Sequence, residues 1–293
     1  MTKNLMAATL LAAAAAVTGC SEIRMGEPEC DKRMPHWRLA MMSYTFRQFT
    51  VFEAVDKTKA LGLEYLEEFS WHKIGGPCGD AKFDETAPPE ARQALKNKLN
   101  ETGVKVVGCY VQVIGKDEAA TRRTFEFCKD LGIEYIVCEP DPGDLALVDK
   151  LAGQYKVYVA IHNHWRDVNK PEYRNWNPDE VLKMVQNRSK WIGLCADTGH
   201  WARSGLDTVE AVRKCRGRIV SLHLKDIEKP DPKAHDVVWG TGVANLSGVL
   251  AELAHQKFRG VFSIEYETNP ADNIAEVAQC IKFFNQVSNE LAR

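Results

Sequence analysis

The chain reads as an α/β protein, a (β/α)8 TIM barrel forming one domain over residues 37–293. Three observations predict this. From Arg38 onward, short apolar runs alternate with longer amphipathic ones, the pattern of βαβ units around a parallel sheet. Eight such pairs fit before the end of the chain, and an eightfold barrel takes roughly 250 residues. The first apolar run ends in Ser43-Tyr44-Thr45-Phe46-Arg47 with no glycine, whereas a doubly wound sheet would carry a glycine-rich phosphate loop there. Gly75-Gly76-Pro77 and Gly240-Thr241-Gly242 are too isolated to form one.

Taken in order, the strands are expected at Leu39–Tyr44, Glu64–Glu68, Lys105–Tyr110, Tyr135–Cys138, Val157–Ile161, Gly193–Ala196, Ile219–Leu224 and Val261–Glu265. The helices between them are expected at Phe52–Leu61, Pro89–Thr102, Asp117–Leu131, Leu145–Tyr155, Pro178–Arg188, Thr208–Arg216, Leu246–Gln256 and Asn273–Leu291. Gly103 and Gly132 follow helical runs, where a left-handed residue ends a helix at no steric cost. Pro89 and Pro178 stand near helix starts, where a missing N–H is harmless.

Composition is that of an ordinary globular domain, 45% apolar and 27% charged. A net charge of −2 argues against nucleic acid as a bulk electrostatic partner. The N-terminus is read separately. Lys3 precedes an apolar run from Leu5 to Val17, too short to span a bilayer core of ~30 Å. Val17-Thr18-Gly19-Cys20 resembles a bacterial lipobox. That resemblance implies a leader over 1–19, a lipid on Cys20, a tether over 20–36 and an exported protein whose only membrane contact is that lipid. Of the nine cysteines, Cys109, Cys138 and Cys195 lie in apolar strand runs and read as small hydrophobes. No C-x-x-C pair occurs, which disfavours zinc-knuckle and thioredoxin chemistry. Spacing alone sets no disulfide pairing.

A barrel places its active site at the C-terminal ends of its strands. Five successive strands end here in carboxylates and imidazoles. They are Val137-Cys138-Glu139, Ile161-His162-Asn163-His164, Ala196-Asp197-Thr198-Gly199-His200, Leu222-His223-Leu224-Lys225-Asp226 and Ile264-Glu265-Tyr266-Glu267. Period-two alternation puts His162 with His164, His223 with Lys225 and Glu265 with Glu267 on common faces. So much buried charge implies a metal ion, and mixed N/O ligation suits Mn, Co, Zn or Fe(II) better than Ca. Trp71, Trp165, Trp176, Trp201 and Trp239 flank the same segments as candidate sugar-stacking rings, with Glu67, Glu68 and His72 as further pocket candidates.

Asp197-Thr198-Gly199-His200-Trp201, His223-Leu224-Lys225-Asp226 and Ile264-Glu265-Tyr266-Glu267 together resemble the sugar phosphate isomerase/epimerase family, over roughly residues 38–290. The resemblance implies a metal held by Asp197, His223, Glu265 and the residue ending strand five. Family members carry Glu at that last place; here it is His162. In the related ketose epimerases the strand-five and strand-eight glutamates form the acid/base pair, so this substitution removes half of a two-carboxylate mechanism. The base is then open between Glu139, His164 and Lys225, while His200 corresponds to the family's substrate-contacting histidine.

The expected chemistry is proton abstraction next to a carbonyl on a sugar-like small molecule. Isomerisation or epimerisation is the first expectation. Elimination of the aglycone from a 3-keto-glycoside is the second. A metal- and sugar-binding lipoprotein without turnover is the third. A homo-oligomer is compatible with all three.

Overall fold

The computed structural model describes residues 37–293. The leader over 1–19 and the tether over 20–36 lie outside the described residues. Eight parallel strands close into a barrel: β1 (Arg38–Met42), β2 (Tyr65–Phe69), β3 (Lys105–Val111), β4 (Tyr135–Cys138), β5 (Tyr158–His162), β6 (Ile192–Asp197), β7 (Ile219–Leu224) and β8 (Val261–Ile264). β1 pairs with β8, and every other neighbour is sequential. Outside run α1 (Val51–Ala60), α2 (Pro89–Thr102), α3 (Glu118–Leu131), α4 (Leu145–Tyr155), α5 (Pro178–Val185), α6 (Thr198–Arg203), α7 (Thr208–Lys214), α8 (Leu246–His255) and α9 (Ile274–Leu291). None of these helices is long and apolar enough to cross a membrane.

Local chemistry explains the boundaries. Thr50 and Glu53 form a reciprocal capping box at the start of α1, which satisfies two amides that the first turn leaves free. Asp117 and Asp207 cap α3 and α7 by accepting from Ala120 and Glu210 amides. Gly103 and Gly132 end α2 and α3 in the left-handed conformation, as expected.

Three expectations need correction. β1 stops at Met42, and Ser43–Phe46 forms a 3-10 turn instead of extending the strand to Tyr44. The turn carries Ser43 Oγ to 2.7 Å from Glu68 Oε2 and Thr45 Oγ1 to 3.3 Å from the Ile264 carbonyl, so its hydroxyls tie β1 to β2 and β8. Thr198–Arg203, where the sequence predicts no helix, is the helix α6, capped by the Asp197 carboxylate accepting from the His200 amide at 2.7 Å. Asp226–Ile227 and Asp236–Val237 form a small antiparallel ribbon beyond β7. It is held by Asp226, whose carboxylate accepts from the Gly240, Gly242 and Ala244 amides; Asp226 is therefore a buried loop organiser.

The barrel interior is filled by Ala40, Val107, Tyr135, Val137, Ala160, Cys195 and Val261, apart from the shell between strands and helices. Gly108 makes this filling possible. A Cβ there would stand 2.4 Å from the Tyr135 ring, and that ring crosses the interior to reach Glu67. Cys109, Cys138 and Cys195 are buried free thiols, as the apolar strand reading expects.

Candidate metal centre and active site

Barrel register brings the strand-end residues together. Asp197 pairs with His223 across β6–β7, and His223 with Ser263 across β7–β8. His162, Asp197, His223 and Glu265 each offer one ligand atom, and these atoms lie within 4.8 Å of one another. All four residues are buried.

The donor set fits a divalent ion. His162 Nδ1 and Nε2, Asp197 Oδ2, His223 Nδ1 and Glu265 Oε2 are buried without a hydrogen-bond partner. An unsatisfied buried polar atom costs about 1–3 kcal/mol, and more when charged. Five such atoms converging from four strand ends are compensated together by one cation. Lys225 Nζ stands 3.2 Å from Asp197 Oδ2 and 3.1 Å from Glu265 Oε2, but off the hydrogen-bonding direction, so it leaves both oxygens free for an ion. Two carboxylates and two neutral imidazoles balance a 2+ charge.

Each prospective ligand is oriented from behind. His223 Nε2 lies 2.6 Å from Glu67 Oε1, which turns Nδ1 toward the cluster. The other Glu67 oxygen accepts from Tyr135 Oη at 2.7 Å and Ser263 Oγ at 2.6 Å. A register shift between Leu66 and Glu67 re-aims this carboxylate into the barrel. A carboxylate behind a ligating imidazole fixes its tautomer and raises its basicity. Glu67 is thus a support beneath the site and not a wall of the pocket. Glu67→Gln is expected to weaken metal affinity about 10- to 100-fold while the barrel stays folded; metal titration into stripped protein checks it. Asp197 is held by Asn163, whose amide group accepts from the Asp197 amide at 2.9 Å and donates to its carbonyl at 3.1 Å.

Electrostatics follow from the same contacts. Burial opposes ionisation of Asp197, but His200 and Lys225 overcome it and hold the carboxylate well below its usual range. Glu265, against the same burial, is brought down to about 2 by Lys225 and His223. His223 is lifted well above an ordinary imidazole despite burial, by Cys195, Glu67 and Glu265. That field attracts a metal ion as it attracts a proton.

Glu139, His162 and His164 form a second convergent group. Glu139 Oε1 lies 2.5 Å from His164 Nδ1 and 3.6 Å from His162 Nδ1. Tyr110 Oη donates to the same carboxylate at 3.2 Å, and Asn175 Nδ2 at 3.4 Å. Burial would raise the Glu139 pKa, but the imidazoles of His162 and His164 beside it hold it far below the carboxylate range. Glu139 is therefore anionic and committed, and the partly exposed His164 ring faces the cavity.

Lys225 is buried and donates to Glu267 Oε1 at 2.6 Å. It remains cationic, since Asp197, Glu265 and Glu267 outweigh burial. Gly199 makes room for it, because a Cβ there would stand 2.4 Å from Lys225 Cβ. His200 is kept neutral chiefly by burial. Both ring nitrogens of His200 face cations, Nδ1 at 3.3 Å from Arg203 Nη1 and Nε2 at 3.4 Å from Lys225 Nζ. Arg203 in turn pairs with the buried Asp236.

The cavity over these groups has about 340 Å³ and is walled by Tyr44, Trp71, Tyr110, Gln112 and Trp165. Trp71 and Trp165 line it as expected. Trp201 and Trp239 are core residues and Trp176 lies in a separate groove. Tyr110, Gln112 and Arg203 escaped the sequence reading. Tyr110 lies within the apolar run of β3, where nothing local marks a polar role, and Arg203 stands at i+3 from His200 on α6, a segment for which the sequence predicts no helix.

Glu68 and His72 are also buried and lie beside the site without entering the cavity. His72 Nδ1 is 2.8 Å from Glu68 Oε2 and Nε2 is 2.7 Å from the Phe49 carbonyl. Burial lowers the His72 pKa, but Glu68 and the Phe49 carbonyl raise it above the ordinary value overall. A raised folded-state pKa gives stability that is fully present below about pH 6.5 and fades as pH rises through the folded value. His72→Gln is therefore expected to destabilise more at pH 6 than at pH 9. Thermal melts of both proteins across that range check it, and a pH-independent difference contradicts it.

Similarity to known proteins agrees with this architecture. The chain is 27% identical over 139 residues to the rhizopine catabolism protein MocC of Rhizobium meliloti, a match covering 42% of this chain and 41% of that protein, so less than half of that relative is spanned. It is 23% identical over 230 residues to an inosose dehydratase of Geobacillus kaustophilus, covering 61% and 72%. Among solved structures, an uncharacterized protein of Parabacteroides distasonis is 30% identical with a TM-score of 0.68, over 85% of this chain and 98% of that one. An IOLI protein with a bound zinc atom has a TM-score of 0.66 at 18% identity, over 86% and 98%, and shows the fold alone. The profile of the xylose isomerase-like TIM barrel matches residues 55–284, from within α1 to within α9. With most of the barrel inside that match, the chain belongs to the xylose isomerase-like TIM barrel family.

Proposed function

We propose that this protein is a divalent-metal-dependent sugar isomerase or epimerase that moves a proton next to a carbonyl of an uncharged substrate. The observation that carries this reading is the His164 ring, with Glu139 behind it at Nδ1, standing in one cavity with His162, His223 and Glu265 of the four-residue ligand cluster. His162, Asp197, His223 and Glu265 would hold the ion. When bound, it supplies Lewis acidity that lowers the cost of removing a proton beside a carbonyl. The zinc in the IOLI protein supports a metal in this fold.

His164 is the base. Glu139 occupies its Nδ1, which leaves Nε2 for the substrate C–H and stabilises the imidazolium formed there. The Lys225 ammonium is the donor for a substrate oxygen, where negative charge develops, and His200 lines the cavity beside it. Among the described residues Lys225 is the one Lys or Arg that lines the cavity, and three carboxylates within 3.2 Å balance its charge. A phosphate group meets no unbalanced cation there, so the substrate is uncharged.

A second reading is elimination, such as loss of an aglycone from a 3-keto-glycoside. His162 in place of a strand-five carboxylate favours it, because one base plus a cationic donor suffices for elimination. The inosose dehydratase relative supports it as well. Incubation with ketoses and with 3-keto-glucosides in D2O tests both. Deuterium at a carbon next to the carbonyl with a rearranged sugar supports isomerase chemistry. Released aglycone supports elimination. Binding with no exchange at any substrate carbon contradicts both and leaves a sugar-binding protein.

A further inference from the structure

The opposite end of the barrel carries an asymmetry that the catalytic reading does not use. The turns leading into β5, β6, β7 and β8 hold Lys156, Arg188 with Lys190, Arg216, and Lys257 with Arg259, and no Asp or Glu. Arg218, in the same stretch, is spent on the Gln186, Ser189 and Ile192 carbonyls. The turns into β2 and β4 carry only Glu64 and Glu134, and Glu134 is neutralised by Arg38 at 2.7 Å. In a chain of net charge −2, the turns of this sector thus carry only cations, and the one carboxylate bonded to them among the described residues, Asp149 of α4, is committed to the Ser189 amide and hydroxyl.

Arg188, Lys190 and Arg259 frame a cleft of about 600 Å³ with Tyr158 and Phe258, and the Arg38–Glu134 pair stands on its wall. Arg188 and Arg259 have no carboxylate partner among the described residues. Tyr158, 36% exposed, packs at a tilt against Trp191, with ring centroids 4.7 Å apart, beside these cations. Cations next to amphipathic aromatic rings match the chemistry of a lipid–water boundary.

The chain enters the barrel at this same end. Trp37 donates its indole N–H to the Phe258 carbonyl at 3.2 Å and leads into β1 through Arg38, which lines the cleft. The apolar Leu5–Val17 run and Cys20 precede it. From Cys20, a fully extended chain reaches at most about 60 Å to this point. A lipid on Cys20 would therefore hold the foot within reach of the bilayer.

We propose that the foot of the barrel is a docking face for anionic phospholipid headgroups. The membrane meets the basic sector around the cleft, and the active-site mouth at the strand C-termini points away from it toward soluble substrate. Attraction of a basic cluster to an anionic surface adds with each cation and fades with salt.

The chain from residue 37 onward is the right material, because solved relatives matched over 98% of their own length are this barrel alone. Flotation is measured with vesicles of phosphatidylcholine, with and without phosphatidylglycerol. Binding is expected only with phosphatidylglycerol, reversed by high salt. Arg188→Glu/Lys190→Glu/Arg259→Glu is expected to lower partitioning by about tenfold or more. Lys170→Glu/Lys229→Glu/Lys233→Glu, the same charge change on exposed residues away from the foot, is expected to keep it. All four barrels are compared by circular dichroism, and the single variant Arg259→Gln, with a smaller loss, serves if the triple variant unfolds. No binding to phosphatidylglycerol vesicles, equal loss in both triple variants, or binding to duplex DNA as strong as to vesicles would each overturn the proposal.

Discussion

His223→Ala and Glu265→Gln each lose bound divalent metal and turnover together. The fall in kcat/KM is expected to be about a thousandfold or more, since Lewis-acid stabilisation supplies several kcal/mol and each 1.4 kcal/mol is tenfold. Both residues offer a buried atom with no other partner to the shared cluster. Removing His223 also leaves Glu67 Oε1 without its 2.6 Å partner, so a buried anion is stranded in the barrel interior. Glu265→Gln retains shape but removes one of the two negative charges that balance a 2+ ion. It also loosens Lys225, which faces Glu265 Oε2 at 3.1 Å. Metal content of the purified variants and their rates are measured on the same samples. A variant with full metal and full turnover sinks the ligand assignment. The contrast with Glu67→Gln is informative, because that change acts through His223 and is expected to shift affinity without abolishing the site.

The residues of this cluster were legible in the sequence because strand periodicity alone places them. A strand end is found from an apolar run, and alternation then says which of His223 or Leu224, and which of Glu265 or Tyr266, points inward. Roles that depend on contacts between distant segments were not legible. Glu67 reaches His223 only because the barrel closes and a register shift turns it inward. Lys225 is buried because Gly199, on the next element, leaves a gap for its stem. Trp201 and Trp239 were read as possible sugar platforms, yet α6 and the ribbon after β7 turn both into the core. Their direction is set by helix and loop geometry, about which strand alternation says nothing. The end of β1 was misplaced for a similar reason. Ser43 and Thr45 have hydroxyl partners on β2 and β8 that are invisible to a local pattern.

His164→Ala is expected to keep the metal and lose turnover by about 10²- to 10⁴-fold, the usual contribution of a positioned general base. The two members of the pair are held differently. Glu139 is anchored by Tyr110, Asn175 and both imidazoles, so it has little freedom to approach a substrate carbon. His164 has its backbone amide on Tyr173 Oη at 2.7 Å and its ring at the cavity wall. The proton is therefore taken by His164, and Glu139 sets the tautomer and steadies the charge that results. Glu139→Gln then gives a smaller loss in kcat than His164→Ala, with metal content unchanged in both. The double variant His164→Ala/Glu139→Gln is no worse than His164→Ala alone, because the carboxylate acts only through the imidazole. Three outcomes contradict this order. Loss of metal in Glu139→Gln makes Glu139 a ligand, a larger effect at Glu139 than at His164 makes the carboxylate the base, and additive losses in the double variant separate the two groups. If His164→Ala retains turnover while Lys225→Met abolishes it with metal still bound, the base is Lys225, and the three carboxylates around its ammonium would then have to release it during the cycle.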